Sequence, residues 1–337
     1  MRDSSPLRIA VSPKRTATNE FVEQFSDALE NCGARVSGFV GPIARRERYD
    51  VAIFHWPNRF LKPRSTRRAL SELARLWLAK LRGMRVVWVA HNKGVHDGAA
   101  DSQLVPKLFI RSLDGVIHLS RASRQIITDA YPGTRGLPDL VIVHGRYRDA
   151  TIPRAFVAPS EREPVVIANV GLVRTYKNLE ILLDTAKRLD ADEIGLLLAG
   201  KRFDADLAER LEASAAGLPH LRTDFRDEPV PQAEMEAMID GAHGVVLPYS
   251  DILNSGSALQ TLARNRPILT PAIGSMPELA EMVGSTWVQL YDGAFTPEVL
   301  RGFLAHVRTI PDGATVDLAQ FEWDHIGERI HAFLRSL

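Results

Sequence analysis

The 337 residues hold one cysteine, Cys32. A single thiol excludes an internal disulfide framework and suits a reducing compartment. Cys32 lies in an apolar helical stretch, which points to packing rather than reactivity. No Cys/His cluster has metal-ligand spacing. No apolar run reaches bilayer-spanning length, and Met1 to Val11 lacks the long apolar core of an export signal, so a cytoplasmic location is expected. The Walker and GxGxxG phosphate loops are missing, as is any serine or cysteine nucleophile motif. Aromatic residues make up only 7% and do not alternate with basic ones, which argues against nucleic acid as a partner.

What is present describes a soluble globular chain, 45% hydrophobic and 25% charged, long enough for two domains with separate cores. Apolar runs at Leu7–Val11, Val51–Phe54, Arg85–Ala90, Gly115–Leu119 and Leu140–Val143 predict strands. Helical stretches separate them, the first being Asn19–Asn31, closed by Gly33. This alternation predicts a parallel sheet wound on both faces. Arg148–Pro164, rich in charge, alanine and proline, reads as the crossing between domains. Val165–Val170, Ile194–Ala199 and Gly244–Leu247 predict a second sheet, with helices from Leu179, over Glu234–Ala242 and over Ala258–Arg264, and a loop over Thr223–Val230. The expected fold class is α/β, with one Rossmann-like domain at 1–150, another at 151–317, and a terminal helix at 318–337 packing back on the first.

The second domain carries the anion signals. Leu247-Pro248-Tyr249 ends a strand, and Asn254-Ser255-Gly256-Ser257 opens a helix that Asn254 or Ser255 can cap. Helix N-termini present unpaired N–H groups and about half a positive charge, so this turn is a candidate diphosphate seat. Gly171 permits close backbone approach, and Arg174 and Lys177 place two cations beside the next helix start. Such a set suits an anionic leaving group. Glu228 and Tyr249 are candidates for nucleoside contacts.

The first domain carries basic and titratable signals. Residues 1–150 hold 25 Lys+Arg and 14 Asp+Glu (+11), and the rest holds 17 and 27 (−10), which together give the net +1. A basic half suggests an anionic partner such as a phospholipid surface or a pyrophosphate-linked lipid. Arg59–Arg85 concentrates this charge, with nine basic residues and one acid, while Leu70, Leu73, Leu76, Trp77 and Leu81 recur at helical spacing. Such a helix can lie in a membrane interface with Arg64, Arg67 and Arg68 toward lipid phosphates. Strands close on His55, His91 and His144 at their carboxyl ends, where ligands bind in open α/β sheets. After His91 come His96 and Asp97 on a glycine-containing loop, a constellation suited to proton transfer.

Taken in order, HWP at 55–57, HN at 91–92 with His96-Asp97, HGRYRD at 144–149, GLVRTYK at 171–177, LPY at 247–249, NSG at 254–256 and VGSTWVQLYDG at 283–293 resemble glycosyltransferase family 94, the xanthan-type β-mannosyltransferases. The resemblance implies a GT-B fold of two Rossmann-like domains facing a central cleft. It also implies GDP-mannose as donor, a polyprenyl-diphosphate-linked oligosaccharide as acceptor, a role in exopolysaccharide synthesis, and peripheral attachment to the inner face of the plasma membrane. Retaining GT-B enzymes of family 4 carry an E-x7-E pair whose places here are Ile252 and Gln260, with Asp251 one position off register. Their absence favours inversion. Asp97 is then the expected base, with His96 or His91 in competition. Arg174, Lys177 and the amides near Ser255, Gly256 and Ser257 would hold the departing diphosphate without a metal ion. A retaining enzyme using Asp251 and a two-lobed solute-binding protein stay open as alternatives.

Overall fold

The computed structural model describes residues 5–13, 20–39, 48–91 and 104–337. They form two compact units: Met1–Tyr147 with Ala319–Leu337, and Arg148–Leu318. The first holds strands β1 (Arg8–Ser12), β2 (Arg35–Gly38), β3 (Val51–Phe54), β4 (Arg85–Ala90), β5 (Gly115–His118) and β6 (Asp139–Val141). Its helices are α1 (Glu20–Asn31), α2 (Asn58–Leu61), α3 (Thr66–Lys80), α4 (Leu104–Ser112) and α5 (Arg121–Ala130). The second holds β7 (Val165–Val170), β8 (Ile194–Lys201), β9 (Leu221–Arg226), β10 (Gly244–Val246), β11 (Ile268–Pro271) and β12 (Val288–Tyr291). Its helices are α6 (Leu179–Ala186), α7 (Ala205–Ala215), α8 (Gln232–Asp240), α9 (Gly256–Ala263), α10 (Met276–Val283) and α11 (Pro297–Thr309); α12 (Trp323–Ser336) ends the chain in the first unit.

Each sheet has six strands, in the orders β2-β1-β3-β4-β5-β6 and β12-β11-β10-β7-β8-β9, and every recorded pairing is parallel. Sequences such as VAIF and VVWVA are apolar throughout because helices cover both faces of such a sheet. Strand order reverses between β1 and β3 in one sheet and between β7 and β10 in the other. At these switch points the loops diverge and leave a crevice at the carboxyl ends, the usual seat of a ligand.

The second sheet gains β11 and β12, which are absent from the sequence expectation, and two edge strands differ from it in kind. Thr223–Arg226 is not loop but the end of β9, an edge strand in which only Leu221 and Phe225 are fully buried. β2 has no apolar run, RVSG, and is held by pairing to β1 at the other sheet's edge. The stretch expected as a crossing is itself clamped to the second unit. The Ala150 and Thr151 amides donate to Glu236 at 2.8 Å each. The fully buried Arg264 guanidinium donates to the Thr151 and Ile152 carbonyls and pairs with Asp240.

In the first unit α12 lies on α1, and Gly327 makes the approach close: a Cβ there would sit 2.8 Å from the Ala28 carbonyl oxygen. Trp323 Nε1 donates to the Arg146 carbonyl at 2.8 Å, and Arg329 to that of Val141 at 2.7 Å. Gly302, inside α11, faces open space instead. Alanine in a helix interior gains up to about 1 kcal/mol over glycine, and overpacking costs about 1–3 kcal/mol. Gly302→Ala should therefore raise the unfolding midpoint and Gly327→Ala lower it in a urea titration. A stabilised Gly327→Ala would contradict the close α1–α12 contact.

Candidate active site

The reversal between β7 and β10 brings Gly171, Lys177, Tyr249 and Ser255–Ser257 together. Gly171 follows β7 at φ +139°, and Gly200 follows β8 at φ +141°. A side chain on Gly200 would overlap the Gly171 carbonyl, so both strand ends need glycine to lie this close. The space over Gly171 goes to Lys177: a Cβ on Gly171 would be 2.7 Å from its Nζ and 3.9 Å from Ser257 Oγ. Lys177 ends a 3₁₀ turn, Thr175–Lys177, and Asn178 in the left-handed region redirects the chain into α6. On the facing loop Ser255 caps α9, its Oγ accepting from the Ala258 amide at 3.1 Å. The Tyr249 hydroxyl lies 3.0 Å from Ser255 Oγ, and the Ser250 amide donates to the Tyr176 carbonyl at 2.9 Å. These bonds tie the cationic turn to the helix N-terminus.

The Lys177 ammonium is 3% exposed, and no carboxylate pairs with it among the described residues. Burial lowers its pKa from 10.5 to about 8, and the Arg174 charge adds to the fall. The Arg174 guanidinium lies over the Phe203 ring, 3.7 Å from its centroid, and its buried Nε has no hydrogen-bond partner. Arg174, Thr175, Tyr176, Phe203 and Ala205, with the carboxylates Asp204 and Asp206 on the same wall, line an open cavity of about 590 Å³. An unpaired buried cation, a second one beside it, and free amides at a helix start together favour a multiply charged anion. Phe203, 59% exposed, is the member that sequence reading missed, since no periodicity singles out an aromatic residue in a loop. Asn254 precedes the cap on the same loop, while Glu228 is exposed beyond β9, two strands away from β7.

In the first unit His55, His91 and His144 stand at the carboxyl ends of β3, β4 and β6 around Phe21. His55 Nδ1 and His91 Nε2 are 2.9 Å apart, and Trp56 stacks on His91 at 4.2 Å. Burial depresses all three, His55 to about 3, His144 to about 4 and His91 well below its ordinary value, so all three are neutral at physiological pH. Among the described residues His55 Nε2 has no partner. Leaving a buried N–H unpaired costs more than leaving a lone pair, so the proton belongs on Nδ1, which donates to His91 Nε2. In that tautomer His91 carries its own proton on Nδ1. His96 and Asp97 lie outside the described residues.

Helix α3 separates its apolar positions. Leu73 and Leu76 are buried with Ala69 and Ala79. Trp77 is 38%, Leu78 52% and Leu81 82% exposed, which corrects the single apolar face expected from Leu70, Leu73, Leu76, Trp77 and Leu81. Arg64, Arg67 and Arg68 are exposed around the helix start. Cys32 is half-buried with its thiol pKa pushed up by burial, then by Glu328 and Asp324, an unreactive setting.

No protein-family model matches the chain. Two proteins of Xanthomonas campestris pv. campestris, both named GDP-mannose:glycolipid 4-beta-D-mannosyltransferase, are 32% identical to it over 319 residues, spanning 92% of this chain and 86% of theirs. Among solved structures it is similar to Anabaena HepE in complex with UDP, with TM-score 0.67 and 14% identity over 99% of this chain and 100% of that one. It is also similar to sucrose-phosphate synthase from Thermosynechococcus elongatus, with TM-score 0.60 and 14% identity over 98% and 94%. At such identity the structures speak for fold alone, and that fold is GT-B.

Because Lys177 titrates near pH 8 when free, a bound diphosphate will raise its pKa. Nucleoside diphosphate binding at pH 8 should take up as much as about half a proton per site. Calorimetry in buffers of different ionisation enthalpy measures it, and Lys177→Met should abolish it. Uptake that persists in the variant would remove this ammonium from the diphosphate site. The sign for the free protein also follows. Between pH 8 and 10.5 the unfolded state binds more protons, so stability rises with pH across that window.

Proposed function

The chain belongs to the family of the GDP-mannose:glycolipid 4-beta-D-mannosyltransferases, and on that premise we propose that it is an inverting β-mannosyltransferase of glycosyltransferase family 94. It moves mannose from GDP-mannose onto an oligosaccharide carried on a lipid diphosphate, a step of exopolysaccharide synthesis. The observation that carries this reading is the buried, uncompensated Lys177 ammonium between Gly171 and the start of α9. A charge left in that state has a use for a diphosphate that gains a further negative charge as its bond to the sugar breaks.

In this reading Lys177, Arg174 and the amides at Ser255–Ser257 stabilise GDP as it leaves, which makes a metal ion unnecessary. Asn254 and Tyr249 shape the same loop, and Glu228 stands by the nucleoside. Asp97 or His96 takes the proton of the acceptor hydroxyl as that oxygen attacks the anomeric carbon and the bond to the β-phosphate breaks. His91 donates a hydrogen bond through Nδ1 rather than accepting the proton. The sequence has Ile252 and Gln260 where a retaining family-4 enzyme carries glutamates, so the α-linked donor gives a β-linked product by direct displacement. Family membership also sets aside the solute-binding reading.

The same proposal places the enzyme on the cytoplasmic face of the inner membrane. Among the described residues no helix is long and apolar enough to cross a bilayer. Trp77, Leu78 and Leu81 offer an exposed apolar edge at the end of a helix whose first turn carries the exposed Arg67 and Arg68, the composition of an interfacial contact.

Incubation with GDP-mannose and a prenyl-diphosphate oligosaccharide, followed by NMR of the product, tests the chemistry. A β-mannoside formed in excess EDTA is expected, and an α-mannoside would overturn inversion. Asp97→Asn should lower turnover by about 10²–10⁴-fold with donor affinity retained. Near-normal turnover in that variant transfers the base role to His96. Replacing Trp77, Leu78 and Leu81 by serine should reduce cosedimentation with anionic liposomes, and unchanged binding would refute the contact.

A further inference from the structure

The switch point of the first sheet has a basic pocket of its own. Ser12 ends β1, and Arg59 lies in α2 just beyond β3, so the two strands that flank the reversal meet there. Arg59 Nη2 donates to Ser12 Oγ at 2.8 Å. Beside it, Arg59, Lys62, Arg64, Ser65, Arg68 and Glu72 line a cavity of about 490 Å³, within the range of small-molecule sites. Four cations face one carboxylate, a balance of +3.

Glu72 is already shared, 3.5 Å from Arg59 Nη1 and 3.6 Å from Arg68 Nε. No carboxylate pairs with Lys62 or Arg64 among the described residues. The first turn of α3, capped by Ser65, adds its partial positive charge to the same wall. Surface arginines and lysines ordinarily find acidic neighbours, and here the neighbours are other cations around a concavity. Mutual repulsion of this kind is relieved by a ligand with at least two negative charges.

We propose that this pocket binds the diphosphate of the glycolipid acceptor, with Lys62 and Arg64 as its principal contacts and Arg59 and Arg68 completing the cradle. The assignment rests on the glycolipid-acceptor reading above and adds a place for the charged group. It separates two tasks on one helix. The start of α3 holds the diphosphate, while Trp77, Leu78 and Leu81, about 18 Å further along at 1.5 Å per residue, meet the bilayer. Specificity for a lipid diphosphate over a neutral glycolipid then comes from the pocket and not from the membrane.

Two acceptors assayed without membranes test this: an oligosaccharide on a short, soluble prenyl diphosphate, and the same oligosaccharide on the same chain through an uncharged ether. The wild type should prefer the diphosphate. Lys62→Ala and Arg64→Ala change exposed side chains and should each raise KM for the diphosphate acceptor about tenfold, in keeping with a charged hydrogen bond. Together they should raise it by more than either alone, without simple additivity because they share one ligand, leaving kcat, KM for the neutral acceptor and acceptor-free donor hydrolysis unchanged. An unaltered KM for the diphosphate acceptor overturns the pocket's role, as does a defect seen only in sedimentation with anionic vesicles, which would assign these cations to bilayer phosphates. A wild type that hydrolyses GDP-mannose but glycosylates neither acceptor would refute the acceptor reading itself, and the pocket assignment with it.

Discussion

A buried ammonium without a carboxylate partner is the constraint on which the second unit turns. Burying an isolated charge is costly, and the protein lowers that cost in part by letting Lys177 release its proton more easily. It does not remove the cost, although Asp or Glu at a nearby position would. What surrounds Lys177 is arranged for an incoming anion instead: a strand end stripped to glycine, a hydroxyl at Ser257, and the start of α9. Gly200 at the end of β8 packs directly on Gly171, and the space over Gly171 is left to the Lys177 ammonium. An anion bound against Lys177, as proposed above, would recover the stability given up at that point of the fold.

The first unit uses the same architecture with opposite electrostatics at its centre. Its strand ends carry imidazoles that burial keeps neutral, surrounded by Phe21, Phe25, Trp56 and Trp323. Neutral imidazoles orient a hydroxyl without attracting an anion. The positive charge of this half stands elsewhere, along α2 and the start of α3. Each unit thus sets a different electrostatic character at its strand ends, cationic in one and uncharged in the other, and the difference lies in a few residues. The His55–His91 bond matters because its tautomer decides which His91 nitrogen can accept a proton.

How much of this could be read from the chain depends on the range of the interaction involved. Val51–Phe54, Arg85–Ala90 and Val165–Val170 were legible to the residue, because a strand covered on both faces must be apolar along its whole length. The Ser255 cap and the glycine at 171 were legible for similarly local reasons. β2 and β9 were not, because RVSG and LRTDFR are edge strands whose pairing comes from a neighbour rather than from their own pattern. Leu81 and Trp77 fit a helical period, yet α3 is long enough to carry part of its apolar stripe past the sheet and into solvent. The His55–His91 bond spans 36 positions, and the cation over Phe203 joins two different loops. Contacts of that kind leave no trace in a window of sequence.

The charge asymmetry of the halves resolves into something more specific than a basic and an acidic lobe. Residues 151–337 sum to −10, and still hold the candidate diphosphate seat. A net field of that sign would repel a nucleotide at long range, but at physiological ionic strength it fades over about 8 Å. Inside that distance only neighbours count, and there neither Lys177 nor Arg174 forms an ion pair with a carboxylate among the described residues, although Asp204 and Asp206 line the cavity beside Arg174. The acidic exterior thus sets no penalty once the donor is in the crevice. Arg64, Arg67 and Arg68 differ in kind, since they stand exposed to solvent and belong to a half whose summed charge has the same sign. Long-range attraction and local chemistry point the same way at α3 and opposite ways at β7. On the function proposed above, a surface that seeks a membrane-bound acceptor would benefit from the first arrangement, and a site for a freely diffusing nucleotide could work with the second.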